Sequence, residues 1–349
     1  MIRKIFVLAL LVGVAASAAA QSATDGESKR TFDLPDWFPT ISGTIRGKWE
    51  YQTEENETRF QVRTARVALD GFVVPIVEYK AEIDLSDEGS IKMLDAYAGL
   101  LPFEGFNVRL GQMRVPFSID AHRSPHKQYF ANRSFIAKQV GNVRDVGLYL
   151  SYKFKDVPLM LEGGIFNGSG LTDQKDYWTD ELNFSAKAQY FFPFGLTLQA
   201  SVQKIAPEGG ATYLYDGGAT LQMGRWTIEG EYLHKHYTND SFTDTDAFDA
   251  FVCYDLPLKK AFRKISFLAR YDYMDDHSDG SLADDGVSLE LTDAQRGRLT
   301  GGITLSMAKK MNADIRINYE KYFYDDKSLA KTSERDKIVC ELVIHFPNK

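Results

Sequence analysis

Nearly every segment after Pro39 alternates apolar and polar residues with a period of two, and the runs are long. "SGTIRGKWEY" sets Ile45, Gly47, Trp49 and Tyr51 on one face and Thr44, Arg46, Lys48 and Glu50 on the other. "VEYKAEIDL" sets Val77, Tyr79, Ala81, Ile83 and Leu85 against Glu78, Lys80, Glu82 and Asp84. "ADIRINYEKY" does the same with Ile315, Ile317 and Tyr319 against Asp314, Arg316, Asn318 and Glu320. Period-two alternation means a sheet with two chemically different faces. Runs of about ten residues exceed the usual five or six of globular strands.

Sixteen such strands start near residues 40, 58, 73, 91, 105, 145, 157, 180, 194, 212, 225, 245, 263, 295, 312 and 335. Every second connection is tight: 71–72, 102–104, 155–156, 193, 223–224, 256–262 and 308–311. The others are polar and usually longer, the longest being 114–144 and 275–294. Tight periplasmic turns alternating with longer external loops are the pattern of a transmembrane barrel with an apolar exterior and a polar lumen. The expected fold is therefore all-β: an antiparallel transmembrane β-barrel of sixteen strands, fourteen being the alternative count, with a long third loop folded inward.

Residues 1–20 have a basic start, an apolar run over 5–14 and small residues ending in Ala18-Ala19-Ala20, the layout of a secretory signal. The apolar run is shorter than the roughly 20 residues a spanning helix needs. The expected organisation is a signal peptide at 1–20, a short periplasmic segment at 21–39 and a barrel at 40–349. Losing Arg3 and Lys4 with the signal takes the formal charge from −7 to −9. Two cysteines far apart, Cys253 and Cys340, imply no disulfide framework.

The charge is unevenly placed. Residues 275–294 hold seven acids and no Lys or Arg. Lumen-facing strand positions are nearly balanced, Arg46, Lys48, Arg66, Lys80 and Arg109 being offset by Glu50, Glu78, Glu82 and Asp95. Residues 114–144 are the exception: six Lys or Arg, two His and one acid, Asp120. A sixteen-stranded barrel is wide enough for an aqueous channel. Basic groups folded into that channel act between low-dielectric walls and bias entry toward anions. A solvated external loop meeting lipopolysaccharide phosphates is the alternative reading.

"VRTARVALDG", "MLDAYAGLLPFEGFNVRLGQMRVPFS" and "NVRDVGLYLSYKF" occur in order between Arg59 and Phe154. This stretch resembles the phosphate-selective porin O and P family of outer-membrane channels, with its Arg-rich strand, Asp-Ala-Tyr strand, Gly-Gln-x-Lys/Arg-x-Pro-Phe segment and Arg-Asp-x-Gly strand. The resemblance implies a homotrimer in the bacterial outer membrane, with basic residues guiding phosphate or other small anions past the third loop. For a barrel in that membrane the lipid bilayer and lipopolysaccharide are the expected surroundings. Position by position, Arg63 and Arg66 match the Arg-rich strand, Asp95 the Asp-Ala-Tyr strand and Arg114 the basic position after Gly111-Gln112. Thr64 stands where the family commonly has another arginine. The pore residues expected are Arg63, Arg66, Asp95, Arg109 and Arg114, with Arg123, Lys127 and Arg133 of the loop. Parity sets Arg66 and Asp70 on one face, so Arg63 points the other way unless a bulge intervenes or it lies above the lipid.

The leading expectation is passive diffusion of small solutes with an anion bias; a general or cation-tolerant pore is the alternative. A barrel enzyme needs a nucleophile, a base and an orienting acid held together, and no such constellation is evident. His234 and His236 share a face, as metal ligands on a strand would, but fall outward near a strand end. No catalytic residue, metal, cofactor or nucleic-acid partner is expected, and an adhesin would need larger loops than these.

Overall fold

The computed structural model describes residue 35 and residues 37–139, 143–171, 174–206, 210–259, 261–307 and 312–346. The expected signal peptide lies outside the described residues, as does most of the segment before Thr40. Sixteen strands close on themselves as an antiparallel barrel, the first pairing with the last. In chain order they are β1 Thr40–Gln52, β2 Glu57–Val74, β3 Val77–Asp87, β4 Ser90–Leu100, β5 Phe106–Arg114, β6 Arg144–Lys153, β7 Leu159–Phe166 and β8 Asn183–Phe191. Then follow β9 Leu196–Ile205, β10 Thr212–Met223, β11 Trp226–Tyr237, β12 Thr245–Pro257, β13 Phe262–Met274, β14 Arg296–Met307, β15 Ala313–Tyr324 and β16 Lys337–Phe346.

Closure is what the membrane demands, because a sheet edge facing hydrocarbon leaves backbone N–H and C=O groups without partners. No helix among the described residues is long and apolar enough to cross a membrane. Alternation then assigns the faces. Along β1, Thr44, Arg46, Lys48, Glu50 and Gln52 are buried in the lumen, while Ile41 and Ile45 are exposed on the outside. The first tight turn differs from the sequence reading: it falls at residues 75–76, not 71–72. Pro75 has no N–H to give the ladder, so β2 runs on to Val74 and the chain reverses there.

Buried charges stitch the lumen wall. Glu341 of β16 accepts Arg46 of β1 at 2.6 Å and Arg316 of β15 at 3.0 Å, so one carboxylate ties the closing strand to both neighbours. Its side chain is fully shielded from solvent. Removing one partner of a buried pair leaves an uncompensated charge and costs about 3–5 kcal/mol. Glu341→Ala should therefore lower the temperature at which the folded, fast-migrating form disappears on unheated gels, whereas Glu54→Ala in the exposed first loop should leave it unchanged.

A basic constriction beside an anchored loop

The connection between β5 and β6 enters the lumen and docks against the far wall. Its apolar residues make a core inside the barrel: Phe117, Ala121, Phe135, Ile136 and Ala137 pack with Ile205, Leu214, Leu233, Ala247, Met274 and Tyr322. Phe135 and Ile136 belong to α1, a short helix at Phe135–Gln139. A second cluster seats Phe130 against Phe251, Cys253 and Leu268. Several lumen-facing positions of β9 to β13 are thus apolar where the loop covers them.

Polar groups complete the anchoring. Glu231 of β11 accepts the backbone N–H groups of Ile119 and Asp120 at 2.7 and 3.2 Å. Arg46 donates to Gln128 Oε1 at 2.7 Å and to the Ala131 carbonyl at 2.8 Å. Asn318 of β15 accepts from Ala131 N at 2.8 Å, and Arg298 of β14 donates to the Arg133 carbonyl at 2.7 Å. Within the loop, Asp120 Oδ2 accepts the Ser134 N–H at 3.0 Å and its hydroxyl at 3.2 Å, while Oδ1 takes Arg123 at 3.1 Å. His126 stacks on His345 of β16, ring centroids 3.8 Å apart. Burial first, then the neighbouring His345, Lys127, Arg316 and Arg114, lowers His126 to about 4.

The loop leaves uncovered the wall made by β2 to β6, and an ionic ladder runs along it. Arg66 meets Asp84 at 2.9 Å and Glu82 at 3.4 Å. Lys80 meets Asp95 at 2.6 Å and Glu82 at 3.0 Å, and Arg144 takes the other oxygen of Asp95 at 2.7 Å. Lower on the wall, Arg109 pairs with Glu78 at 2.6 Å and lies over the rings of Tyr97 and Tyr149. The side chains of Arg66, Lys80 and Arg109 keep 18, 25 and 28% of their surface exposed, so this wall still meets solvent.

Above the ladder is a cavity of about 680 Å³, its basic lining supplied by Arg46, Arg63, Arg66, Lys92 and Arg133. Arg63 reaches it through a β-bulge. The β1–β2 register runs Arg46 opposite Thr64 and then Gly47 opposite Val62, so Arg63 is the extra residue. A bulge sets two residues of one strand against one of the other and re-aims a side chain. That resolves the parity conflict: Arg59, paired with Glu50, and Arg66, paired with Asp84, both face the lumen although their positions differ by seven, an odd step.

The expected site residues thus divide. Arg63, Arg66 and Arg133 line one cavity. Arg114 sits within reach of the fields of Arg66, Arg133, Arg144 and Asp95 and donates to the His122 carbonyl at 2.6 Å. Asp95 is the counter-charge clamped between Lys80 and Arg144. Arg109 stands apart along the ladder. Arg123 is spent on anchoring: Glu229 of β11 takes its Nη2 at 2.6 and 2.8 Å. Lys127 is exposed. Arg46 and Lys92 were not named as site residues from sequence; Arg46 was legible as a lumen position directly across from the Arg-rich strand. His234 and His236 do face outward, hydrogen-bonded to Asp246 at 2.8 Å and Asp244 at 2.9 Å. No three potential metal-ligating side chains converge among the described residues.

Among the described residues neither Arg63 nor Arg114 has a carboxylate within ion-pair distance. The excess of positive charge is felt at Arg133. Burial, and then the guanidiniums of Arg46, Arg66 and Arg123, draw it down to about 10 against the opposing pull of Asp120.

A closed antiparallel barrel with an apolar exterior, a charged lumen and a loop docked inside it is that of a bacterial outer-membrane porin. Solved porins share the fold. OmpF of Salmonella typhi, in complex with daunomycin, superposes with a TM-score of 0.64 at 13% identity, over 89% of this chain and 98% of that one. The anion-selective porin from Comamonas acidovorans gives 0.62 at 13% identity, over 88% and 99%. OmpT of Vibrio cholerae, in its trimer form, gives 0.63 at 13% identity, again over 88% and 99%. Residues 46–214 match the profile of the family described as phosphate-selective porin O and P. No curated protein matches the chain.

Asp120 holds the loop together, and its protonation state follows from its neighbours. Burial pushes its carboxyl up, but Arg133 and Arg123 more than offset this and leave it below the ordinary carboxylate value. Its contribution is therefore complete above the ordinary carboxylate range and is lost as pH falls through the lowered folded value. Asp120→Asn should destabilise the docked loop by about 3 kcal/mol and remove that acid dependence. The check is protease cleavage within residues 115–139 of the folded barrel, measured against pH for both proteins.

Proposed function

We propose that this porin passes small solutes by passive diffusion with a bias toward anions, phosphate among them, and that it works as a homotrimer exported by a signal peptide at residues 1–20. The observation that carries the bias is the placement of Arg63 and Arg114, without counter-charges, beside Arg46, Arg66 and Arg133. A guanidinium presents five N–H donors in a planar fork that matches a phosphate or carboxylate edge. A run of such forks along a narrow wall offers successive sites, and those shared with a carboxylate, as Arg66 is with Asp84, are weak enough to release an ion. The description of the matching family and the structural likeness to the anion-selective porin from Comamonas acidovorans favour an anion preference. The trimeric reading has the family resemblance and the trimer form of the Vibrio protein in its favour.

The test is the reversal potential in planar bilayers under a salt gradient. The wild-type protein should favour anions, and replacing Arg63, Arg66, Arg114 and Arg133 by Gln should reduce the anion-to-cation permeability ratio by about tenfold while channels still form. Arg63→Gln alone should account for a large part of the loss, whereas Arg123→Gln should act mainly through the docked loop. A wild-type channel that favours cations would instead mean that Glu78, Glu82, Asp84 and Asp95 set the field.

A further inference from the structure

A second cavity, of about 340 Å³, opens at the loop-bearing end of β1 and β2 and shares no residue with the basic cavity. Glu50 and Gln52 follow Arg46 and Lys48 on the lumen face of β1, at steps of about 7 Å. They form one side of it; Glu57 and Arg59 of β2 form another, and Thr332 and Ser333 of the loop before β16 a third. Local bonds hold these sides in place. Gln52 Oε1 accepts the Glu55 N–H at 2.7 Å and closes the turn at Asn56, whose φ is positive. Across the cavity, the Ser333 carbonyl accepts Lys337 Nζ at 2.5 Å, the Glu334 carbonyl accepts the Tyr324 hydroxyl at 2.8 Å, and Arg335 pairs with Glu55.

The polar groups here answer alcohols rather than a bare anion. Arg59 and Lys337 are matched in number by Glu50 and Glu57, so the lining carries no net charge. Glu50 already takes Arg59 at 2.5 Å, Lys48 at 2.8 Å and Lys337 at 3.4 Å. Other groups stay open. Gln52 is only 6% exposed, yet its Nε2 has no partner among the described residues. Nor, among those residues, have the hydroxyls of Thr332 and Ser333 or the carboxylate of Glu57. A buried amide donor without an acceptor is costly. An amide donor, two hydroxyls that donate or accept, and a free carboxylate acceptor together complement a row of alcohols.

The basic cavity comes next along the same two strands: Phe60 of its lining follows Arg59, and Arg46 lies two lumen positions below Glu50. A solute moving inward therefore meets alcohol-binding groups first and guanidiniums second. We infer that the solutes this pore favours are phosphate esters of sugars and polyols, whose alcohols bind at Gln52, Glu57, Thr332 and Ser333 before the phosphate passes to Arg63 and its neighbours. The inference rests on the anion bias proposed above and names the solute class. Inorganic phosphate brings no carbon-borne alcohols to the first cavity, and a neutral sugar brings no charge to the second. Sites that hydrogen-bond a hydroxyl discriminate against solutes that lack it.

The experiment adds glucose 6-phosphate, inorganic phosphate or glucose on the loop-bearing side of channels in planar bilayers, at a pH where both phosphates are dianions. It reads the concentration of each that halves the chloride current. Glucose 6-phosphate should act at about tenfold lower concentration than inorganic phosphate, and glucose should be weaker than its phosphate. Gln52→Leu, Thr332→Val and Ser333→Ala combined should remove that advantage and leave the reversal potential and the block by inorganic phosphate as in the wild type. Glu57→Ala alone, at the exposed rim, should lose part of it. Equal block by the two phosphates, an advantage that survives both variants, or a block by glucose as strong as by its phosphate would each overturn the inference and leave the anion bias standing. A wild-type channel that favours cations would remove the bias and this inference with it.

Discussion

The absence of hydrogen-bonding partners in hydrocarbon is the constraint on which the rest of this structure depends. It forces sixteen strands into a closed sheet, and closure turns every second residue inward. The polar halves of the alternating strands then face one another across a confined space. Some are neutralised in pairs along the wall, as Arg66 and Asp84 are. Others hold the loop that fills the lumen, as Glu231 does by accepting two of its backbone N–H groups.

That division sorts arginines of equal formal charge into different roles. Arg123 has two carboxylates, Glu229 and Asp120, and a ring beneath it, Tyr129. Its field is cancelled close by, and its worth is mechanical. Arg133, a few residues on, is bound to the backbone carbonyls of Asp120 and Arg123. Carbonyl oxygens fix a guanidinium without neutralising it, and the Asp120 carboxylate stands off at 4.0 Å, so part of the Arg133 charge remains available to an ion. Composition counts the two alike; only their partners separate them.

Much of the barrel was legible because alternation is local and repeated. The reading β1 from residue 40, β10 from 212 and β12 from 245 coincides with the observed strands. The first tight turn was misplaced because Gly71 suggests a turn, whereas the missing N–H of Pro75 fixes one. The apolar lumen patch at Leu214, Leu233 and Ala247 could not be read as such, since an inward apolar residue is meaningful only once the loop that buries it is in place. The side on which Arg63 falls was undecidable for a related reason. One extra residue reverses the parity of everything beyond it, and its position depends on where both strands of the β1–β2 hairpin end.

The same geometry explains how an acidic protein can carry a basic path. The formal charge of −7 describes the whole chain, but an ion in the pore responds to what lies within a Debye length, about 8 Å at physiological salt. The acids of residues 275–294 are largely solvated, and several are turned to local work: Asp285 binds the Val287 and Ser288 N–H groups, and Asp293 takes Lys331 at 2.7 Å. Water and counter-ions screen them at the rim. Arg63 and Arg66 stand at a cavity shared with Arg46 and Arg133, where the wall excludes part of that screening. Selectivity is then set by which charges are confined, and a single bulge in β2 adds Arg63 to that group.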